Sequence, residues 1–574
     1  MLAAGGCSQA PPVGIVGPLR AHQPVIVAIT APATATAPTT TTSPPSSSSL
    51  VIEPTTEARL TDNFDPFDRS SPLAQMGVTS YVYEPLVEFD ELQVDQYYPW
   101  LAESWSFSTS GQTVTFDLRP NVRFADGSVL TATDAAYTFN LLKDNPSVNY
   151  GIPIVSAVAT NPTTLTLTLN QPGYAYLYDI SRVPIVKNGY AAGSDLASYV
   201  DTIPDGTGPY ALASKSDVTS ARVVLMARAD YWQRGEPAIQ ELVFPAYRNA
   251  AAVLSALRAG SLDWAASFMP GVETRFVNRD QADNHYWFPP VNCISLELNL
   301  TKTSVDNVAV RRAISDAIDR DALSKETTGG YDPPATSTSG LVLPTDSQFL
   351  VPANTGDIND RGDPDATRFL MLLAGYHMVR SYWTSSAGQP LALSIEDPAR
   401  TSLAAAASNV ARQLRSAGFD ATASAVTDSR WLADLATGHF AGSVLASATG
   451  PSPFYMYENW LDPALITHGR ATGGNYEHLD SATDPTVAAS VSSELDAYTD
   501  KPSDSAGAQS AIKALGEILT EQLPVVPLMY GVAWAEFSTR HATGWPSNQD
   551  PYEPGTPAAP FAEYTVLQLA PSSP

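Results

Sequence analysis

Seven histidines, two cysteines and 59 acidic side chains are the groups of this 574-residue chain that could do covalent or metal chemistry. None stands in the pattern such chemistry requires. There is no GxSxG elbow to present a serine nucleophile, no HExxH to aim two histidines at a metal, and no GxxxxGK[ST] loop to cradle a phosphate. Cys7 and Cys293 form neither a metal cluster nor a CxxC redox pair, and His285, His439 and His478 lie far apart in sequence. Gly206, Gly208 and Ala211 fit a GxGxxA spacing, but Pro209 and the strand-like residues after it do not open the helix a dinucleotide fingerprint needs. The chain reads as a non-enzyme without cofactor or metal. What remains is recognition. Ten tryptophans and 25 tyrosines supply flat apolar faces, and amides and carboxylates among them supply hydrogen bonds, the pairing typical of small-molecule pockets. The candidate ligand-binding residues are the rings of Phe64, Trp287, Trp431, Tyr455, Tyr457 and Trp534, with Asn63, Asn292 and Glu458 as polar partners.

The elements that must position them span a long chain. Its length suggests two or three domains. Only 16% of residues are charged and the net charge is −27, which argues against nucleic acid and against an anionic membrane surface as partner. No run of 18 apolar residues spans a bilayer. Residues 9–50 are rich in Ala, Pro, Thr and Ser, carry no pattern able to bury a core, and read as a tether.

Folded structure is legible after that. Trp105 and Phe107 alternate with polar residues, Ser110 and Gly111 turn the chain, and residues 113–118 alternate again, predicting a hairpin. Asp126 and Gly127 make a second turn, and Thr131 to Asp134 precede an apolar-periodic run, predicting an N-capped helix. Residues 163–169 alternate as a strand, and Val253, Leu254 and Leu257 mark one face of a helix that Gly260 ends. Amphipathic spacing predicts a helix over 308–320. Residues 391–395, 402–417 and 418–423 predict a β-α-β unit, and a further helix is expected near 508–523.

The stretch 99–139 carries a resemblance. Leu101-Ala102, Ser104-Trp105, Phe116 to Arg119, Val122, Phe124, Asp126-Gly127, Thr131-Ala132 and Asp134 reproduce, in order, a pattern of the large substrate-binding proteins of ABC importers for peptides, nickel and oligosaccharides. The phrases YEPL at 83–86, GTGPY at 206–210 and VRRAISDAIDR at 310–320 are similar to that family too. The resemblance implies an α/β, two-lobed periplasmic-binding-protein-like fold with a hinge. The expected organisation is a leader remnant and tether over 1–50, a first lobe over 51–290 with a side subdomain at about 90–200, a second lobe over 291–510, and a C-terminal return to the first lobe over 511–574. It further implies an extracytoplasmic monomer that hands a small-molecule ligand to ABC permease subunits. MLAAGGCS at the start resembles the end of a lipoprotein signal, with Cys7 as the lipidated residue and the only link to the membrane.

On the ligand, peptide-binding members of the family meet the peptide ammonium with an aspartate in the second lobe. The matching stretch here, 440–454, contains no acid, and a buried ammonium without a carboxylate costs several kcal/mol (about 3–5). Residues 450–457, 530–539 and 543–552 resemble instead the branch that includes cello-oligosaccharide binders. The sequence therefore favours an oligosaccharide, with an oligopeptide as the alternative, and a non-transporting scaffold or regulator as a second alternative.

Overall fold

The computed structural model describes residues 49–53, 60–68, 70–399, 402–557 and 559–572. Cys7 and nearly all of the expected tether lie outside the described residues.

Local rules hold in the first lobe. Ala102–Phe107 and Thr113–Leu118 pair antiparallel as the predicted hairpin, and Thr164–Leu169 and Ile154–Asn161 extend it to a four-stranded sheet. Helix Ala132–Asp144 covers that sheet. Its start is fixed by Asp134, whose carboxylate accepts hydrogen bonds from the Thr131 N–H and hydroxyl, both 2.8 Å. Helix Ala250–Ala259 is capped by Asn249 and ends at Gly260 with φ 66°. A second four-stranded sheet runs Ser49–Val51, Glu241–Pro245, Arg222–Ala227, Tyr210–Ala211. The glycines before Tyr210 have a packing role. A Cβ on Gly206 would lie 1.9 Å from the Val82 carbonyl oxygen, and the Gly208 N–H donates to that same oxygen at 2.8 Å.

The second lobe is built on a five-stranded sheet ordered Asp420–Val426, Ala392–Pro398, Gly442–Ala446, Pro290–Leu298, Val525–Val532. The first two strands are parallel across helix Ser402–Ser416, the β-α-β unit expected from the sequence. The helical stretch at 308–320 divides. Helix Val308–Asp316 ends, and Asp319 caps a second helix, Arg320–Thr328, by accepting the Ala322 N–H at 2.7 Å. Arg320 is buried and donates to the carbonyls of Pro527 and Ser315, which makes it a clamp within the lobe. Cys293 is a free, buried thiol in this lobe's interior, where burial pushes its pKa up.

Two chain segments join the lobes. Strands Asn284–Tyr286 and Glu536–Ser538 pair in the first lobe, Pro290–Leu298 and Val525–Val532 pair in the second, and residues 287–289 and 533–535 cross between them. The crossings are bonded to each other, Trp287 N–H to Ala535 C=O at 3.0 Å and Ala533 N–H to Pro289 C=O at 2.9 Å. The return to the first lobe comes later than residue 511. Helix Ala506–Gln522 buries Ile512, Leu515 and Leu519 against Phe454 and Trp460, and Val525–Val532 completes the second sheet, so the boundary falls at the second crossing.

Candidate functional site

Between the lobes lies a small cavity of about 40 Å³, room for a few waters. The first lobe contributes Glu91 and Val94, the first crossing Pro290 and Val291, and the second lobe Asp346 and the loop 447–453. The lobes are drawn together over it. The Tyr178 hydroxyl donates to the Thr449 carbonyl at 3.1 Å, the Tyr455 hydroxyl to the Ala175 carbonyl at 2.9 Å, and the Asp95 N–H to the Pro451 carbonyl at 2.6 Å. The Tyr178 and Tyr455 rings meet with centroids 4.5 Å apart. The conformation is a closed one. A ligand of any size enters only after these contacts part.

The cavity wall mixes apolar residues with hydroxyls and two acids. Ser447, Thr449 and Ser452 face it together with Glu91 and Asp346. Burial pushes Glu91 up to about 7, with Asp90 adding to the rise and Arg182 opposing it. Burial likewise raises Asp346 to about 7 against the Val342 N–H bond. Glu458, on helix Pro453–Leu461 that leaves this loop, is held well above the usual carboxylate range by burial, then by Asp462 and by Asp179 of the first lobe. The acid-free stretch 440–454 meets acids of other segments here. That loop does line the cavity without an acid, but the wall takes acids from elsewhere in the chain, Glu91 and Asp346.

The expected binding residues separate into groups. Tyr455 stands at the cleft, spent on the contact between lobes. Asn292 follows the lining residue Val291 and is buried; its Oδ1, lying over Gly531, has no hydrogen-bond partner. Trp534 and Trp287 belong to the crossings. Trp534 packs against Phe288 at 4.6 Å, Phe268 at 4.9 Å and Tyr331 of the second lobe at 5.7 Å. Trp287 donates its indole N–H to Asn548 Oδ1 at 2.8 Å. The others are covered by their own lobes. Phe64 is in the first lobe's interior, and Asn63 staples its loop, donating to Asp68 and accepting from the N–H groups of Asp65 and Asp201. Trp431 packs with Leu435, Phe440 and Leu445 and donates to Ser443. Tyr457 is buried and donates to the Ser339 carbonyl. These ring faces are occupied by protein, so in this conformation they offer no wall to a ligand. Glu91, Asp346 and Tyr178 went unread because an acid or a tyrosine in a chain rich in both carries no local signal.

Three comparisons bear on this geometry. The family model for bacterial extracellular solute-binding proteins, family 5 Middle, matches residues 96–466. The nickel-binding periplasmic protein of Escherichia coli (strain K12) is 27% identical over 342 residues, 57% of this chain and 61% of the relative. The glutathione-binding protein of the same organism is 28% identical over 288 residues, 49% of this chain and 54% of the relative. The chain thus spans little more than half the length of the curated relatives it matches. Among solved structures, the periplasmic oligopeptide-binding protein of Thermotoga maritima superposes with a TM-score of 0.80 at 22% identity, covering 92% of this chain and 99% of the other. Its mannohexaose-bound form gives a TM-score of 0.72 with the same coverage. These likenesses carry the two-lobed fold.

Proposed function

The chain belongs to family 5 of the bacterial extracellular solute-binding proteins, with the two-lobed fold of that family, and from this premise we propose that it is the solute receptor of an ABC importer, acting outside the cytoplasm. The observation that carries the reading is a cavity walled from both lobes, at the foot of two paired crossing segments. A hinge with two crossings lets the lobes part, admit a solute and close. The solute favours closure only by binding the closed form better than the open one. Delivery to permease subunits, a lipid anchor at Cys7, a monomeric state and capture without covalent chemistry complete the proposal.

For the ligand, the wall supports an amine-bearing solute of the oligopeptide class. Asp346 is buried and Glu91 half-buried at the cavity, and a protonated amine would give them a charged partner. An oligosaccharide is the second reading, favoured by the serine and threonine hydroxyls of the wall and by the mannohexaose in the Thermotoga structure.

A thermal-shift screen of the full chain separates the readings. The probes are short peptides with free amino termini, the same peptides acetylated, and cello- and manno-oligosaccharides. At 100 times its dissociation constant a ligand stabilises by about 2.7 kcal/mol. A shift with free-amine peptides that acetylation abolishes is the expected result. A shift with oligosaccharides alone would overturn the amine reading, and silence from every probe would favour a non-transporting scaffold.

A further inference from the structure

Helix Pro364–Leu373 of the second lobe is apolar on its outer face as well as on the face that packs into the core. It buries Thr367 and Met371 and leaves Phe369 at 66%, Leu372 at 52% and Leu373 at 68% exposure. The hairpin that follows, His377–Val379 with Tyr382–Thr384, exposes Met378, Val379 and Tyr382 as well. Six of the thirteen exposed large apolar side chains among the described residues therefore fall within one fourteen-residue run. Isolated exposed leucines need no explanation, but a contiguous apolar patch marks a contact surface.

The hairpin tip adds an independent observation. Its central residues Arg380 and Ser381 both have positive φ, 50° and 78°. Such a turn ordinarily takes Asn and Gly, because the left-handed region is disfavoured for a residue with a Cβ. An arginine kept in that region is there for what its side chain meets. Arg368, exposed on the helix, precedes the apolar run and Arg380, also exposed, lies within it, while Asp365 sits in the first turn of the helix.

The sheet register places this element. Pro290 is at the crossing, Leu298 pairs with Gly442 at the opposite end of the sheet, and Ala392–Pro398 enters the sheet from that opposite end. The helix and hairpin that precede it in the chain thus sit at the pole of the second lobe remote from hinge and cleft, where they cannot line the ligand site.

We propose that this pole is a membrane-contact surface, in which the outer face of the helix and the hairpin tip rest in the headgroup region of an anionic bilayer with Arg368 and Arg380 on the lipid phosphates. Apolar side chains interspersed with arginine are the chemistry of interfacial binding. The net charge of −27 does not forbid the contact. At physiological salt, charges beyond about 8 Å are screened, so the bilayer meets the local patch. Forty-one residues lie between Cys7 and Ser49, where the described chain begins. An anchor at Cys7 would hold the body at high effective concentration over the surface, so that a weak contact is populated. The contact rests on the extracytoplasmic, anchored reading, yet its test needs neither ligand nor importer.

The full chain carries Cys7→Ser and an amino-terminal histidine tag that replaces the anchor on vesicles containing nickel-chelating lipid. Val379→Cys carries an environment-sensitive fluorophore. On phosphatidylglycerol vesicles the emission should shift to the blue. The double variant Phe369→Ser, Leu373→Ser should reduce the partitioned fraction by about tenfold with an unchanged unfolding temperature. Arg368→Glu with Arg380→Glu should weaken the response on anionic but not on phosphatidylcholine vesicles. Emission unchanged on anchoring would overturn the proposal. So would self-association in sedimentation that the Phe369→Ser, Leu373→Ser variant abolishes, since the patch would then be a face between copies.

Discussion

The unfolding temperature of the full chain should fall as the pH rises from about 5 to about 8. The cause is a set of buried carboxyls facing other carboxyls. In the first lobe Glu88 and Glu563 are fully buried close to each other, with Glu84 and Glu553 nearby, and their carboxyl oxygens have no donor among the described residues. In the second lobe Glu297 and Glu477 form the same arrangement, the Trp460 indole donating to Glu297 at 3.0 Å and Asp397 nearby. Two facing carboxyls hold together only by sharing a proton. Burial, the largest cause, pushes Glu563 and Glu297 up to about 8 and Glu88 and Glu477 well above their ordinary value. Folded protein thus keeps these protons across a window in which the unfolded chain, with ordinary glutamates near 4.5, has lost them. Stability then decreases with pH between the two values, by about 1.4 kcal/mol per pH unit for each proton retained, and levels off above the folded values. Glu88→Gln and Glu477→Gln should each flatten the slope, because an amide donates to the partner carboxylate without taking up a proton. A stability that rises between pH 5 and 8 would contradict this account.

Tyr455→Ala should open the molecule. The variant removes the Tyr455 hydrogen bond to Ala175 and the ring contact with Tyr178. A net hydrogen bond is worth about 1 kcal/mol and an aromatic pair about 1 kcal/mol more. The closed-to-open ratio should drop by about thirtyfold, since each 1.4 kcal/mol is a factor of ten. Where closure is what holds the ligand, apparent affinity falls toward the same factor, because it scales with the fraction of molecules able to close. Tyr178→Phe keeps the ring, loses only the bond to Thr449, and should cost less. Titration calorimetry with the stabilising peptide measures both. Equal affinities for the variants and the original chain would show that these contacts do not govern closure.

Much of the fold was legible because it obeys local rules. The hairpin at 102–118, the helix whose start Asp134 fixes, Gly260 as a helix end and the β-α-β unit at 392–426 each follow from patterning or capping within a few residues. The point where the chain returns to the first lobe is not legible in the sequence. Val525–Val532 is apolar throughout, and a central strand buried on both faces reads alike in either lobe. The site was less legible. Tryptophans and tyrosines were weighed as stacking surfaces, yet Trp431, Tyr457 and Phe64 fill interiors, and nothing within a short window distinguishes a ring that packs from one that binds. Glu91 and Asp346 come together from segments some 250 residues apart, a proximity that only the closed tertiary structure supplies.

The most direct test of capture between lobes is the distance across the hinge. Spin labels at exposed positions of the two lobes, Val158→Cys and Leu432→Cys, report it by pulsed electron paramagnetic resonance. Without ligand the account predicts a broad distribution containing open and closed molecules. With the peptide that stabilises the protein, it predicts a single narrow population. A distribution that stays unchanged while that peptide binds would place the ligand elsewhere and contradict the account.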